Sequence, residues 1–269
     1  MATLPFPCSS LPISAAGFQS AVTALGVDTP TLLALLTVET PGCGFLSDRR
    51  PQILFERHIF SRLTGGAWDS QYPNVSNPVP GGYGQGGAQQ YGRLGIAVAL
   101  NQEAALQSAS WGLGQVMGEN FAESGFPSVD AMVTGICASE DQQLAAVVGF
   151  ITSHHLQTAL QEQDWATYAR GYNGPNYAQN AYDTKLAHYY ALFSGSASAP
   201  DLTVRAAQVY LLFLGFNPQG IDGQLGADTL TALHSFQNGN GQPLTAGIDA
   251  DVVAILAAAM PAASDLSLT

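Results

Sequence analysis

The sequence predicts a mainly α chain in two unequal parts: a large helical region with one small β or loop-rich insert, then a small three-helix bundle. Three observations predict it. Apolar residues recur at helical spacing through most of the first 193 residues and again in three stretches after residue 200. The stretch Pro51–Phe60 and the glycine-rich segment that follows, residues 65–95, break that period. Between the two parts, Ser194-Gly195-Ser196-Ala197-Ser198-Ala199-Pro200 has the composition of a flexible linker. A length of 269 residues, 46% apolar and only 10% charged, accommodates a large domain and a small one and argues against disorder. The expected division is 1–193, a linker at 194–200, and 201–269.

Prolines interrupt Met1–Pro12, and Ser14–Leu25 reads as a short helix. Leu32, Leu35, Leu36 and Glu39 then share one helix face, with Pro30 suited to the first turn and Asp28 or Thr29 to the cap. A loop at Pro41–Gly44 ends that helix. Pro51–Phe60, rich in β-branched and aromatic residues, reads as a strand or a strand–helix junction. Residues 65–95 read as loop. Gly82, Gly84 and Gly87 spell G-x-G-x-x-G there, but no strand precedes them and no helix pattern opens, so a dinucleotide site is rejected.

Asn101 caps a helix through Gln107, and Trp111–Met117 is a short apolar segment. Ser128 starts another helix. Ser139–Gln142 fits a capping box ahead of a buried stripe, Leu144, Val147, Val148 and Ile151. Asp164–Arg170 is helical up to the turn signal Tyr172-Asn173-Gly174-Pro175. Tyr182, Leu186, Tyr189, Tyr190 and Phe193 give the last helix of the large part. Past the linker, Val204, Ala207 and Leu211 mark one helix, Leu230, Leu233 and Phe236 a second, and Val252, Ile255 and Leu256 a third.

A formal net charge of −12 with a single lysine, Lys185, supplies no basic face, which excludes nucleic acid and membrane surfaces as expected partners. Met1–Pro12 lacks the basic and apolar regions of a signal peptide, and no run approaches the length of a membrane span. Cys8, Cys43 and Cys137 are odd in number and far apart, so neither a disulfide framework nor a zinc ribbon is indicated, and synthesis in a reducing cytoplasm is expected. The five histidines are scattered, so neither metal nor cofactor is expected.

The remaining chemistry is carboxylate chemistry. Glu39 shares its face with three leucines, and a carboxyl at the edge of a core resists ionisation, as a general acid near neutral pH must. Glu56, flanked by Phe55, Arg57 and His58, has the polar setting of a group that stays ionised, and an arginine salt bridge is its plainer explanation. Arg49, Arg50, Arg57 and Arg62 either pair with Asp48 and Glu56 or position them. Glu119 and Glu123 read as a solvated helix face. Cleavage of a glycosidic bond uses an acid and often a second carboxylate. Tyr83, Trp111, Gln115, Tyr172 and Asn173 would supply stacking faces and hydrogen bonds to a sugar chain. The C-terminal part sets six aspartates against one arginine, Arg205, an inventory suited to binding rather than catalysis.

Glu39-Thr40, Gly112-Leu113-Gly114-Gln115-Val116-Met117 and Tyr172-Asn173-Gly174 follow the order seen in the lysozyme-like superfamily of goose-type lysozymes and lytic transglycosylases. The longer strings Ile53-Leu54-Phe55-Glu56-Arg57-His58, Asn77-Pro78-Val79-Pro80-Gly81-Gly82-Tyr83-Gly84, Ser110-Trp111-Gly112-Leu113-Gly114-Gln115 and Ala169-Arg170-Gly171-Tyr172-Asn173-Gly174 resemble the phage-type N-acetylmuramidase family over residues 25 to 193. Leu214-Gly215-Phe216, Ile221-Asp222-Gly223-Gln224-Leu225-Gly226 and Phe236-Gln237 resemble the three-helix peptidoglycan-binding module. Ala246-Gly247 departs from it, standing where a second Asp-Gly is frequent.

The resemblance implies a lysozyme-like catalytic domain with Glu39 as the acid. It implies Gln115, Tyr172 and Asn173 as substrate contacts; Glu56 is expected as the second catalytic carboxylate of a water-using hydrolase if it faces the cleft, and His58, Tyr83 and Trp111 as further substrate contacts read from the residues themselves. Phe216, Asp222, Gly223, Phe236 and Gln237 would form the wall-binding site. Peptidoglycan glycan strands are then the partner of a monomeric, endolysin-like enzyme that reaches the wall without a signal peptide. The rival expectations are a lytic transglycosylase and a non-catalytic wall-binding protein.

Overall fold

The computed structural model describes residues 8–40, 42–175, 177–195 and 199–262. Pro41 and the middle of the expected linker, 196–198, lie outside the described residues, as do 1–7 and 263–269. Thirteen α-helices and one small sheet make up the described fold, which is mainly α as the periodicity predicts. The helices are α1 (Ala15–Leu25), α2 (Thr29–Glu39), α3 (Arg57–Leu63), α4 (Gln90–Leu100), α5 (Gln102–Gln107), α6 (Val129–Ala138), α7 (Glu140–Ser153), α8 (Gln157–Gln161), α9 (Trp165–Asn173) and α10 (Tyr182–Ser194). After them come α11 (Leu202–Phe213), α12 (Ala227–Gly239) and α13 (Ala250–Ala258).

Local chemistry sets many of these boundaries. Ser14, Asp28, Asn101, Ser128, Ser139, Asp164, Asp201 and Asp249 each cap a helix through a side-chain oxygen, satisfying amides that have no partner inside the helix. The capping residue of α2 is Asp28, with Pro30 in the first turn. Helix α1 ends on Gly26 at φ 66°, a left-handed conformation that glycine adopts without strain, and the chain bends by 106° into α2.

The sheet is small and antiparallel in the order β1 (Ile53–Phe55), β2 (Ala109–Trp111), β3 (Val116–Met117). Ile53 faces Trp111 and Phe55 faces Ala109 across the first pair, and Trp111 faces Val116 across the second. The expected loop over 65–95 is corrected at its end, because α4 begins at Gln90. Gly92 and Gly95 obscure that helix in the sequence, and packing of Leu94 and Ala97 into the core holds it in place. The turn expected at Tyr172-Asn173 is likewise the last turn of α9, which stops at Gly174.

One continuous core joins α1 to α10, with α10 packed along α2. A second core of Leu211, Leu233, Phe236, Val252 and Leu256 holds α11, α12 and α13 together. The two parts touch through Cys43 and Phe45 on one side and Val209, Leu212, Phe213 and Ile221 on the other. The cysteine reading needs correction too. Cys8 and Cys137 form a disulfide with Cα atoms 5.0 Å apart across 129 residues of sequence. The spacing gave no hint of this. Tertiary pairing brings the two together, since the Ser10 amide donates to the Cys137 carbonyl and the Leu11 amide to Ala138. Cys43 is buried and free, and burial pushes its thiol up to about 12. Nearby, the buried Arg49 donates to the Ser9 carbonyl (2.9 Å) and to the Pro261 carbonyl (2.7 Å), tying together two segments far apart in the chain.

Candidate active site

Glu39 closes α2. Its helix buries Leu32, Leu33 and Leu35, and the carboxyl is half-buried beyond them with Oε1 fully covered and without a hydrogen-bond partner. Burial pushes its pKa well above the ordinary value of 4.5, because nothing nearby repays the lost hydration of the anion. Thr40 then leaves the helix in extended conformation and donates its hydroxyl to the Leu113 carbonyl, joining α2 to the turn between β2 and β3.

That turn is held from several sides. Gln143 on α7, buried, accepts from the Leu113 amide at 2.7 Å and donates to Ile136. The Tyr172 hydroxyl donates to the Gly114 carbonyl at 3.0 Å. Glycine is required at 114, since a Cβ there would lie 2.1 Å from Val147 Cγ2 and 3.1 Å from Tyr172 Oη. Tyr168 stacks on Tyr172 at 5.4 Å, one helical turn away, and Phe150 meets Tyr172 edge-on at 5.3 Å. Burial raises both phenols well above 10. The neighbouring Tyr172 and then Glu39 push Tyr168 further, and Glu39 pushes Tyr172. Both phenols therefore lie within electrostatic reach of the Glu39 carboxyl.

Glu56 occupies the cap position of α3 with no capping bond and a side chain 15% exposed. Its Oε2 stands 3.1 Å from His58 Nδ1. Tyr83, 39% exposed, leans over it, its phenol raised by burial, by the Glu56 charge and by a hydrogen bond to Glu56. The loop carrying Tyr83 is pinned by α4. Gln90 donates to the Tyr83 and Gln85 carbonyls while accepting from the Phe55 amide, and Arg93 donates to Gly82 and Tyr83. Strand β1 separates this cluster from the Glu39 end of the sheet. From Gln52, bonded to Gly112 in the turn, to Glu56 is four residues, or roughly 13 Å of strand.

Of the expected sugar contacts, Tyr172 faces Glu39 and Asn173 is exposed beside it, while His58 and Tyr83 gather at Glu56. Gln115 lies in the turn itself at φ 47°. It accepts from Ser110 and donates to Gly112 and Gln52, so its amide is spent on the turn. Trp111 is corrected: it is 1% exposed, donates its indole N–H to the Leu106 carbonyl, and belongs to the core instead of offering a stacking face. The four arginines divide. Arg50 pairs with Asp48 and Arg62 with Glu119, which is not simply solvated, while Arg49 binds carbonyls and Arg57 lies against Gly82.

The C-terminal motif residues pack largely within their domain, and Phe236 and Gln237 also line a cavity with Pro243 and Ile255. Phe236 is buried under Phe216, edge-on at 5.7 Å, and the buried Gln237 exchanges hydrogen bonds with Thr245. Gly223 sits at φ 71° against Asp201, where a Cβ would lie 2.9 Å from backbone. Asp222 is exposed but caps its own turn through the Gln224 amide and accepts from Gln208. Gln208, buried and unremarked in the sequence, ties Asp222, Gly223 and Thr229 together. Thr37 and Thr40 line a cleft of about 740 Å³ with Ile221, Asp222 and Gln224, on the α2 face adjacent to the one that presents Glu39.

Sequence reasoning missed Tyr168, Gln143, Glu140 and Arg205. A signal was present for two of them: Glu140, Gln143, Leu144 and Val147 stand at i, i+3, i+4 and i+7, and so share the buried stripe of α7.

The family model described as N-acetylmuramidase matches residues 28–194, and the one described as "Putative peptidoglycan binding domain" matches residues 201–256. No curated protein matches the chain. Among solved structures, the crystal structure of the Burkholderia AP3 phage endolysin is similar, with a TM-score of 0.64 and 39% identity over 69% of this chain and 72% of that one. The motif order, the buried carboxyl at the end of α2 and these matches agree: the chain belongs to the N-acetylmuramidase family, glycoside hydrolases acting on peptidoglycan, and carries a peptidoglycan-binding domain at its C-terminal side.

Proposed function

We propose that the enzyme hydrolyses the β-1,4 bond between N-acetylmuramic acid and N-acetylglucosamine with Glu39 as general acid. One observation carries this reading: a carboxyl at the end of an apolar helix, covered at one oxygen and unpartnered, keeps its proton well above the ordinary carboxylate range. It donates that proton to the leaving oxygen as the glycosidic bond breaks. Glu56 acts as the second carboxylate, activating water or stabilising the positive charge that develops as the bond breaks. Tyr172 and Asn173 line one end of the glycan path, and His58 and Tyr83 the other. Gln115 orders the turn between them.

Residues 201–269 hold the enzyme on the wall and raise the local concentration of substrate over 1–193, joined through 194–200. Phe216, Gly223, Phe236 and Gln237 shape this domain, and Asp222 is the exposed polar group among its motif residues. The enzyme works as a monomer. Purified sacculi digested with wild-type enzyme are expected to gain reducing ends, identified by mass spectrometry, and Glu39→Gln to lose about 10²–10⁴-fold in rate while still binding the wall. Anhydromuramic ends would instead identify a transglycosylase. Wall binding without turnover, unchanged in Glu39→Gln, would reduce the chain to a wall-binding protein.

A further inference from the structure

The segment just past Glu39 is held by a contact that the chemistry above does not use. Arg205, in the first turn of α11, donates through Nη1 and Nη2 to the two oxygens of Glu140 at 2.6 and 2.8 Å, and through Nη2 to the Gly42 carbonyl at 2.9 Å. Glu140 is 0% exposed. Its Oε1 also accepts from the Gly44 amide at 2.8 Å and its Oε2 from the Ile13 amide at 3.0 Å. Gly42 and Gly44, three and five residues beyond Glu39, are thus fixed by the two ends of one buried ion pair whose arginine comes from the C-terminal domain.

The same loop is tight against the large domain. A Cβ on Gly44 would lie 1.7 Å from Gln143 Oε1 and 2.8 Å from the Leu113 amide. Gln143 and Thr40 meet on Leu113, so the loop, the sheet turn and the end of α2 share one set of bonds. A domain serving only as a tethered anchor needs no such contact. A buried ion pair also adds little net stability compared with an apolar pair of similar volume, so its geometric consequence is the informative one.

We propose that Arg205 is a positioning residue for the hydrolysis: through it, the peptidoglycan-binding domain fixes the loop after Glu39 and completes the active-site scaffold. The proposal rests on Glu39 being the acid. Its test uses the full chain on two substrates, a soluble glycan hexasaccharide without peptides and intact sacculi, with amide exchange of residues 42–46 measured alongside. Arg205→Met, assayed well below its own unfolding temperature, is expected to lose at least 10-fold in kcat on the soluble hexasaccharide with KM little changed. The Gly44 amide is expected to exchange at least 10-fold faster. Arg205→Lys, which keeps the charge but not the fork, is expected to recover part of both, and it takes the place of the Met variant if that one cannot be purified folded.

A folded Arg205→Met enzyme with wild-type kcat on the hexasaccharide and wild-type exchange at 42–46, impaired only in retention on sacculi, would overturn the proposal. So would a Lys variant no better than Met in either readout. The exchange measurement needs no turnover. Should wild-type enzyme cleave nothing, the reading of Glu39 fails separately, while exchange still reports whether Arg205 holds the loop.

Discussion

Removing the Cys8–Cys137 bridge is the perturbation whose size follows most directly from the structure. The bridge closes 129 residues, nearly half the chain. The loop-closure relation ΔS ≈ −2.1 − 1.5R ln n gives about 17 cal/mol/K for a loop of that length, or about 5 kcal/mol at 25 °C. Both sulfurs are buried, so alanine leaves only small voids where serine would enclose unpaired hydroxyls. The double variant Cys8→Ala/Cys137→Ala is therefore expected to lose about 3–5 kcal/mol in urea unfolding, and its Tm to fall by roughly 6–20 °C. Wild-type protein unfolded with and without reductant isolates the cross-link itself. Identical urea midpoints for wild type, reduced wild type and the double variant would refute the reasoning.

Other outcomes follow from the site. Glu39 has a folded-state pKa above its unfolded value, so it weakens folding as pH rises from about 4.5 through the raised value. Glu39→Gln should therefore raise Tm at neutral pH, and that gain should vanish below pH 4.5 in thermal melts. In the wild type, activity should fall on the alkaline side as Glu39 loses its proton, with a pH–rate limb displaced upward from 4.5. Gly114→Ala should cost roughly 1–3 kcal/mol and displace Tyr172, lowering kcat in assays of soluble glycan fragments. With a net charge of −12 the enzyme gains no attraction from an anionic wall, so co-sedimentation with sacculi should be insensitive to salt; a steep loss on adding salt would contradict this.

Features that depend on neighbours in sequence were legible, and those that depend on neighbours in space were not. Asp28, Pro30 and the three leucines define α2 and place Glu39 without reference to any other element. Ser139 caps α7 as its tetrapeptide suggests, yet the same tetrapeptide hid that Glu140 is committed to an arginine 65 residues away. The disulfide escaped for a similar reason, because partners 129 residues apart leave no periodic trace. Trp111 was assigned a stacking face that its burial in the core leaves no room for. A motif records that a side chain is constrained, and a buried indole or amide satisfies that record as well as a ligand contact does.

The guanidinium of Arg49 has a topological consequence. Because one planar fork holds the carbonyls of Ser9 and Pro261 at 2.9 and 2.7 Å, those two oxygens lie at most about 8 Å apart. A bridge of three or four residues spans that gap. The backbone from 9 to 261 is in effect a ring left open at one point, and joining it there would allow the chain to be cut elsewhere. A permuted gene with 201–262 ahead of 8–195 should yield the same packed molecule with its catalytic part last. Which domain the ribosome makes first is then a matter of gene order that the fold itself does not impose.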